Sequence, residues 1–266
     1  MKPTAARESP PYISVITATR NAASTLEQLQ ASLLTQDCRH FEWIVVDAVS
    51  DDATVPMLQG YTAANDWVRF VSEPDFGFYH ALNKGLALAR GEFYVVAGAD
   101  DAFDPLALSR YAEAAQAGNP DVVLAQVRKG SRVLGGFHPE KSWIGHPSVF
   151  TGSHSIGMLI RRSLHLRHGL YSRRFPLLAD GYFLKTLLND AAVQFKTADF
   201  IAGTFAETGM TAVNKLQTLA ETWQIQMLTE RWSLLQVLLF IGKIAVRYPA
   251  VLRELTGRKA PERART

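Results

Sequence analysis

The chain has one cysteine, Cys38. A lone thiol closes no intramolecular disulfide and builds no cysteine zinc cage, so a reducing compartment is expected, with Cys38 as a buried structural residue. Long apolar runs are missing too. The best candidate, LLQVLLFIG near the carboxyl end, is too short to span a bilayer and is interrupted by Gln236. The opening MKPTAARESPP has no apolar h-region and reads as a disordered leader over residues 1–11, not an export signal. There is no Walker loop, dinucleotide fingerprint, nucleophile elbow, histidine-rich zinc site, internal repeat or low-complexity tract. Charge of one sign is also scarce. The net charge of +3 does not by itself imply nucleic acid, and none is expected as a partner.

What is present is apolar material in regular alternation. Hydrophobic residues make up 47% of the chain, enough for the core of one globular domain with or without a helical appendage. YISVIT, FEWIVVDA, WVRFVS, FYVVA and DVVLAQV read as strands, and LEQLQASLL, MLQGYTA, the segment after Gly77 and PLALSRYAEAAQ read as helices between them. Such alternation with short links predicts an α/β fold, a mainly parallel central sheet flanked by helices. Ser24 and Thr25 are candidate caps of the first helix, Gly91 the stop of the third, and Pro105 suits the first turn of the fourth.

The organising stretch is Phe70 to Asp101: strand, glycine turn, helix, strand, then the acidic pair Asp100 and Asp101. Two carboxylates just past a strand's carboxyl end lie where parallel sheets bind ligands, and crowded oxygen donors favour a hard divalent cation carrying phosphates. Residues 129–157, with His138, His146 and His154, lack periodicity and read as a solvated excursion unless something ties them to chemistry. FPLLADGYFLKTLLNDA places Asp180 at the head of a helix with an apolar stripe of Tyr182, Leu184, Leu187 and Leu188. From residue 213 to 257 the chain reads as mostly helical, followed by a basic tail, 258–266. Lys243, Arg247, Arg253, Arg258 and Lys259 beside apolar residues and Trp232 suit a helix lying on an anionic membrane; packing on its own domain or on a second subunit is the equal alternative.

IVVDAVSDDAT, then EPDFGFYHALNKGLALARGEF, then GADD, resemble the inverting glycosyltransferases of family 2 with the A-type fold, in particular the bacterial polysaccharide and O-antigen type. The resemblance covers roughly residues 12–210, with the catalytic domain taken as 12–212. It implies a nucleotide-sugar donor, with a UDP-sugar as the first choice, and Mg²⁺ or Mn²⁺ as cofactor. It further implies nucleotide binding by Thr17, Thr19, Arg20 and Asp47, with Asp75, Lys84 and Asp100 on the donor and Asp101 on the metal. Asp180 is implied as the base that deprotonates the acceptor hydroxyl, and His154 as a contact to acceptor or diphosphate. The acceptor is expected to be a glycan or lipid-linked glycan. The enzyme is expected in the cytoplasm, with the inner membrane face as the alternative location. Ala48 and Val49 stand where the family is richer in glycine, His80 where it carries an acid, and Tyr182 where relatives often carry a second acid. These departures motivate the rival reading, a non-catalytic binding or scaffold partner.

Overall fold

The computed structural model describes residues 11–206 and 214–255 of the 266; for Ala245 and residues 247–255 only the backbone is described. Residues 1–10 of the expected 1–11 leader, the boundary at 212/213 and the basic tail lie outside the described residues.

The chain alternates as its periodicity predicts. Strand β1 (Ile13–Thr19) leads to helix α1 (Leu26–Leu34), β2 (Phe41–Asp47) to α2 (Thr54–Ala64), β3 (Val68–Ser72) to α3 (Phe78–Leu88), and then β4 (Phe93–Val96) follows. Next come β5 (Ala102–Phe103), α4 (Ala107–Gln116), β6 (Val122–Lys129), β7 (Arg132–Leu134), α5 (Ser148–Thr151), β8 (Met158–Arg161), α6 (Leu164–His168), α7 (Ala179–Leu188) and β9 (Phe195–Thr204). Two helices end the described chain, α8 (Lys215–Thr229) and α9 (Ser233–Leu255). The sheet order is β3-β2-β1-β4-β8-β6-β9-β5, with β7 paired to β6. β1 to β4 are parallel, and β6 and β9 run parallel to each other. The strand β8 runs antiparallel to both of its neighbours, and β5 and β7 are also reversed.

The central strands β1, β2 and β4 are buried on both faces, so each contributes alternate residues to two cores. Ile16, Ile44, Val46, Tyr94, Val96 and Ile160 face α3 and α7, whereas Val15, Trp43, Val45, Phe93, Val95 and Leu159 face α1 and α4. Glu42 is a carboxylate buried between them at 1% exposure. It accepts bonds from Ser14 Oγ at 2.7 Å, Arg90 N at 2.7 Å and Arg69 Nη2 at 2.5 Å. Burial pushes its carboxyl up, but these donors outweigh burial and hold it below the usual range.

Three local expectations are corrected. α3 ends at Leu88, where Ala89 turns extended, so Gly91 does not stop it. Gly91 instead lies in the turn before β4, where a side chain would meet the backbone nitrogen of Ser14 at 2.7 Å. Thr25 is the N-cap of α1, but its hydroxyl donates back to Ala22 O and makes no capping bond; Pro105 precedes α4 instead of opening it.

The carboxyl-terminal helices pack on their own domain. Trp223 and Phe240 stack at 4.8 Å, and Gln226 and Gln236 donate to the carbonyls of Ser142, Gly145 and Trp143 at 2.9–3.1 Å. The opposite side of α9 leaves Leu234, Leu238, Ile241 and Val246 exposed, with Trp232 just before it. No helix among the described residues is long and apolar enough to cross a membrane.

Gly85 sets the distance between α3 and β1, because a Cβ there would lie 2.4 Å from Ile16 Cγ2. Ile16 is β-branched and wholly buried, so it cannot yield. Gly85→Ala is therefore expected to lose stability despite its better helix propensity, by about 1–3 kcal/mol from overpacking, read as a lower urea midpoint at unchanged slope.

Candidate active site

The strand order reverses at β1, which has β2 on one side and β4 on the other. In open α/β sheets the crevice beyond the carboxyl ends at such a switch point receives ligands. Here it deepens into a cavity of about 380 Å³, walled by Ala18 of β1, Gly98–Asp101 beyond β4, residues of α3 and α7, and the stretch from His146 to Ser155.

Asp101 is 1% exposed and accepts a bond from Gly98 N at 2.7 Å. Burial pushes its carboxyl up, the Gly98 bond pulls it down and the charge of Asp100 pushes it up again, to about 7 overall. A divalent cation would reverse that balance by favouring the ionised form. Among the described residues no three metal-binding side chains cluster into a cage. Asp100 and Asp101 fit a different kind of site, in which one or two carboxylates hold Mg²⁺ or Mn²⁺ and the substrate's phosphates complete the shell.

Asp180 borders the same cavity, in the first turn of α7. Its Oδ1 accepts both Tyr79 Oη–H at 2.6 Å and Gly181 N–H at 2.7 Å, while Oδ2 has no hydrogen bond among the described residues. One oxygen is anchored and the other is left to act. Tyr79 comes from α3, so this bond joins two elements far apart in sequence. Leu178, the N-cap of α7, has no capping side chain of the local kind. Glu221 of α8 supplies it from a distance, its Oε2 accepting Leu177 N at 2.9 Å and Leu178 N at 3.0 Å. Gly181 allows the close approach of α7 to the 146–155 stretch, since a Cβ there would lie 2.1 Å from Pro147 Cγ.

That stretch corrects the reading of residues 129–157 as a solvated excursion. His146, Ser148, Thr151, Ser153, His154 and Ser155 all line the cavity. His154 stacks flat on Phe205 at 4.2 Å. Burial holds its pKa below the usual histidine value, while the charges of Asp180 and then Asp100 pull it upward, so its ring stands within the field of both acids.

Of the residues expected on the donor, Asp100 lines this cavity, whereas Thr17, Thr19, Arg20 and Asp47 lie outside it at the ends of β1 and β2, as do Asp75 in the loop before α3 and Lys84 within α3. Thr17 is buried and accepts Trp43 Nε1–H at 3.0 Å. Asp47 is fully buried and already accepts Ser72 Oγ at 2.7 Å, Ser50 N at 2.9 Å, Thr19 Oγ1 at 3.2 Å and Ser50 Oγ. It ties the ends of three strands together. Arg20 is exposed. Asp75 accepts Gly77 N at 2.8 Å, and Lys84 bonds Pro74 O at 2.7 Å and Glu73 at 2.8 Å, bracing the loop that enters α3. Val49 adopts φ +53° in the loop after β2, a left-handed conformation that a β-branched residue rarely takes and glycine takes freely. The strain falls where the resembling family carries more glycine.

Sequence reasoning noted Tyr79 within its motif but assigned it no role, and it missed Glu221 altogether. No local pattern signals either, because their partners are brought close only by the fold.

Residues 14–175 match the family described as Glycosyl transferase family 2. A PGL/p-HBAD biosynthesis glycosyltransferase of Mycobacterium bovis is 29% identical over 210 residues, covering 75% of this chain and 78% of that protein. A cholesterol galactosyltransferase of Borreliella burgdorferi is 27% identical over 114 residues, covering 43% of this chain and 32% of that protein. Among solved structures, S. aureus TarS 1-349 superposes with a TM-score of 0.63 at 16% identity, covering 86% of this chain and 69% of that one. The mannosyltransferase PcManGT of Pyrobaculum calidifontis, in complex with GDP-Man and Mn²⁺, gives 0.61 at 19% identity, covering 94% and 80%. The fold is thus that of the A-type glycosyltransferases, and with its family match running from β1 through β8 and including the switch point and the acidic pair, the chain belongs to glycosyl transferase family 2.

Proposed function

We propose that this glycosyltransferase works by single inverting displacement with a divalent metal. The observation that carries the reading is the convergence on one cavity of the Asp100–Asp101 pair and Asp180, which has one oxygen anchored and the other without a hydrogen bond among the described residues. Asp180 Oδ2 takes the proton of the acceptor hydroxyl, whose oxygen attacks the anomeric carbon on the face opposite the leaving diphosphate. The glycosidic C–O bond breaks as the new one forms, so no covalent intermediate arises. Asp101 would hold Mg²⁺ or Mn²⁺ with the diphosphate, where the cation supplies charge neutralisation of the leaving group. Asp100 serves the ribose or sugar side, and His154 the diphosphate or acceptor. Thr17, Thr19, Arg20 and Asp47 frame the nucleotide, with Asp75 and Lys84 at the loop before α3.

A UDP-sugar is the first choice of donor. TarS has been solved with UDP-GlcNAc and PcManGT with GDP-Man, so the fold accommodates either base. The acceptor is a lipid-linked glycan in cell-surface assembly, a reading supported by relatives that work in PGL biosynthesis and on cholesterol. The uncovered side of α9, with Trp232, Leu234, Leu238, Ile241 and Val246, would rest on the cytoplasmic membrane face.

Titration with UDP, GDP and dTDP, each with Mn²⁺ and with EDTA, is expected to show metal-dependent binding of one nucleotide that Asp101→Ala abolishes. No binding of any would favour the scaffold reading. Asp180→Asn is expected to lower kcat by about 10²–10⁴ with nucleotide affinity unchanged. Tyr79→Phe removes the bond that fixes one oxygen of Asp180, so kcat should fall about tenfold with nucleotide affinity unchanged; an unchanged kcat would show that Tyr79 does not position the base. Replacing Leu234, Leu238 and Ile241 together with serine should abolish co-sedimentation with anionic vesicles and leave nucleotide binding intact. Undiminished sedimentation would place the membrane contact elsewhere.

A further inference from the structure

The cavity wall has two parts of opposite character. One carries Asp100, Asp101, His154 and Ser155, the groups that suit a diphosphate and a cation. The other, an apolar zone contributed by α3, α7 and the sheet, consists of Leu82, Val96, Met158, Ile160 and Leu184, each at most 7% exposed. Three tyrosines, Tyr79, Tyr94 and Tyr171, also border it.

Their hydroxyl protons are already committed. His165 Nδ1 lies 2.9 Å from Gly169 O, a carbonyl that can only accept, so Nδ1 carries the proton and Nε2 is an acceptor. Burial lowers the pKa of this histidine to about 4, and the ring is neutral. Tyr94 therefore donates to His165 Nε2 at 2.7 Å, and Tyr171 must donate to Tyr94 at 2.8 Å. Tyr79 gives its proton to Asp180 and Leu177 O. A sugar placed here would find ring faces, methyl groups and tyrosine oxygens that accept, but no uncommitted tyrosine proton, so its hydroxyl oxygens would lose their water donors without replacement.

We propose that the apolar zone receives an apolar body of the acceptor, an aromatic or alkyl group directly adjoining the reacting hydroxyl, which it presents to Asp180. This rests on the glycosyl-transfer reading above but departs from its lipid-linked glycan, since the reacting hydroxyl would sit on the apolar group itself: an unadorned oligosaccharide end would leave the zone unfilled. An apolar occupant restores the dispersion contacts that the lining residues lack, and its hydroxyl is the one polar group that the site is equipped to meet, at Asp180 Oδ2.

The test is calorimetric titration of the full chain with 4-propylphenol, with methyl α-glucopyranoside as the polar control, in the presence and absence of UDP, GDP or dTDP with Mn²⁺. The phenol is expected to saturate a single site that the glycoside does not occupy. Leu184→Trp and Met158→Phe, which fill the zone from opposite walls, should each weaken phenol binding at least tenfold while metal-dependent nucleotide binding changes less than twofold. That retained nucleotide binding also reports an intact fold. Nucleotide binding without saturable phenol binding, or phenol binding indifferent to both variants, overturns the acceptor proposal and leaves the transferase reading standing. Variant-sensitive phenol binding with no nucleotide binding supports the apolar site and counts against the transferase reading instead.

Discussion

The bond from the Tyr79 hydroxyl to the Asp180 carboxylate is the contact on which the site depends. It crosses from α3 to α7 over 101 residues of chain and anchors one oxygen of the base at 2.6 Å. A carboxylate free to rotate would lose the geometry a base needs, and one with both oxygens bonded would have nothing left to accept a proton. The arrangement meets both requirements with one tyrosine proton and one backbone N–H. It holds only if α3 and α7 keep their places. Gly85 lets α3 settle against β1, and Gly181 lets α7 settle against Pro147.

The carboxyl-terminal helices belong to the same support. Glu221 caps the backbone at the head of α7, and Lys185 of α7 pairs with Glu230 and bonds Ser142 O at 3.1 Å. Gln226, Gln236 and Lys243 bond successive carbonyls from Ser142 to Gly145, next to the residues that wall the cavity. A segment of little periodicity, 129–157, is thus held in place by polar bonds from helices that lie far beyond it in the chain. Loops with few apolar anchors need such partners for their carbonyls if they are to hold one conformation.

The two parts of the cavity wall follow opposite rules. At Asp101, burial and the charge of Asp100 raise the carboxyl, which suits a cation. Along α3, α7 and the sheet, polar atoms satisfy one another and leave apolar surface. A donor with a charged leaving group suits the first part and an acceptor with an apolar body the second.

Much of the fold was legible from local pattern. The alternating strands and helices, the place of Asp100 and Asp101 beyond β4, and Asp180 at a helix head all follow from apolar periodicity and turn residues, which act over a few positions. The ordered motifs carried the family. What the sequence could not determine was the reversed direction of β8, the engagement of residues 146–155 with the site, the assignment of Tyr79 to the base and the capping of α7 by Glu221. Each is a pairing between residues remote in the chain, decided by which surfaces meet when the two faces of the sheet are buried. That meeting also formed the apolar zone behind Asp180, since Leu82, Val96, Ile160 and Leu184 read individually as ordinary core residues until the packing left space between them.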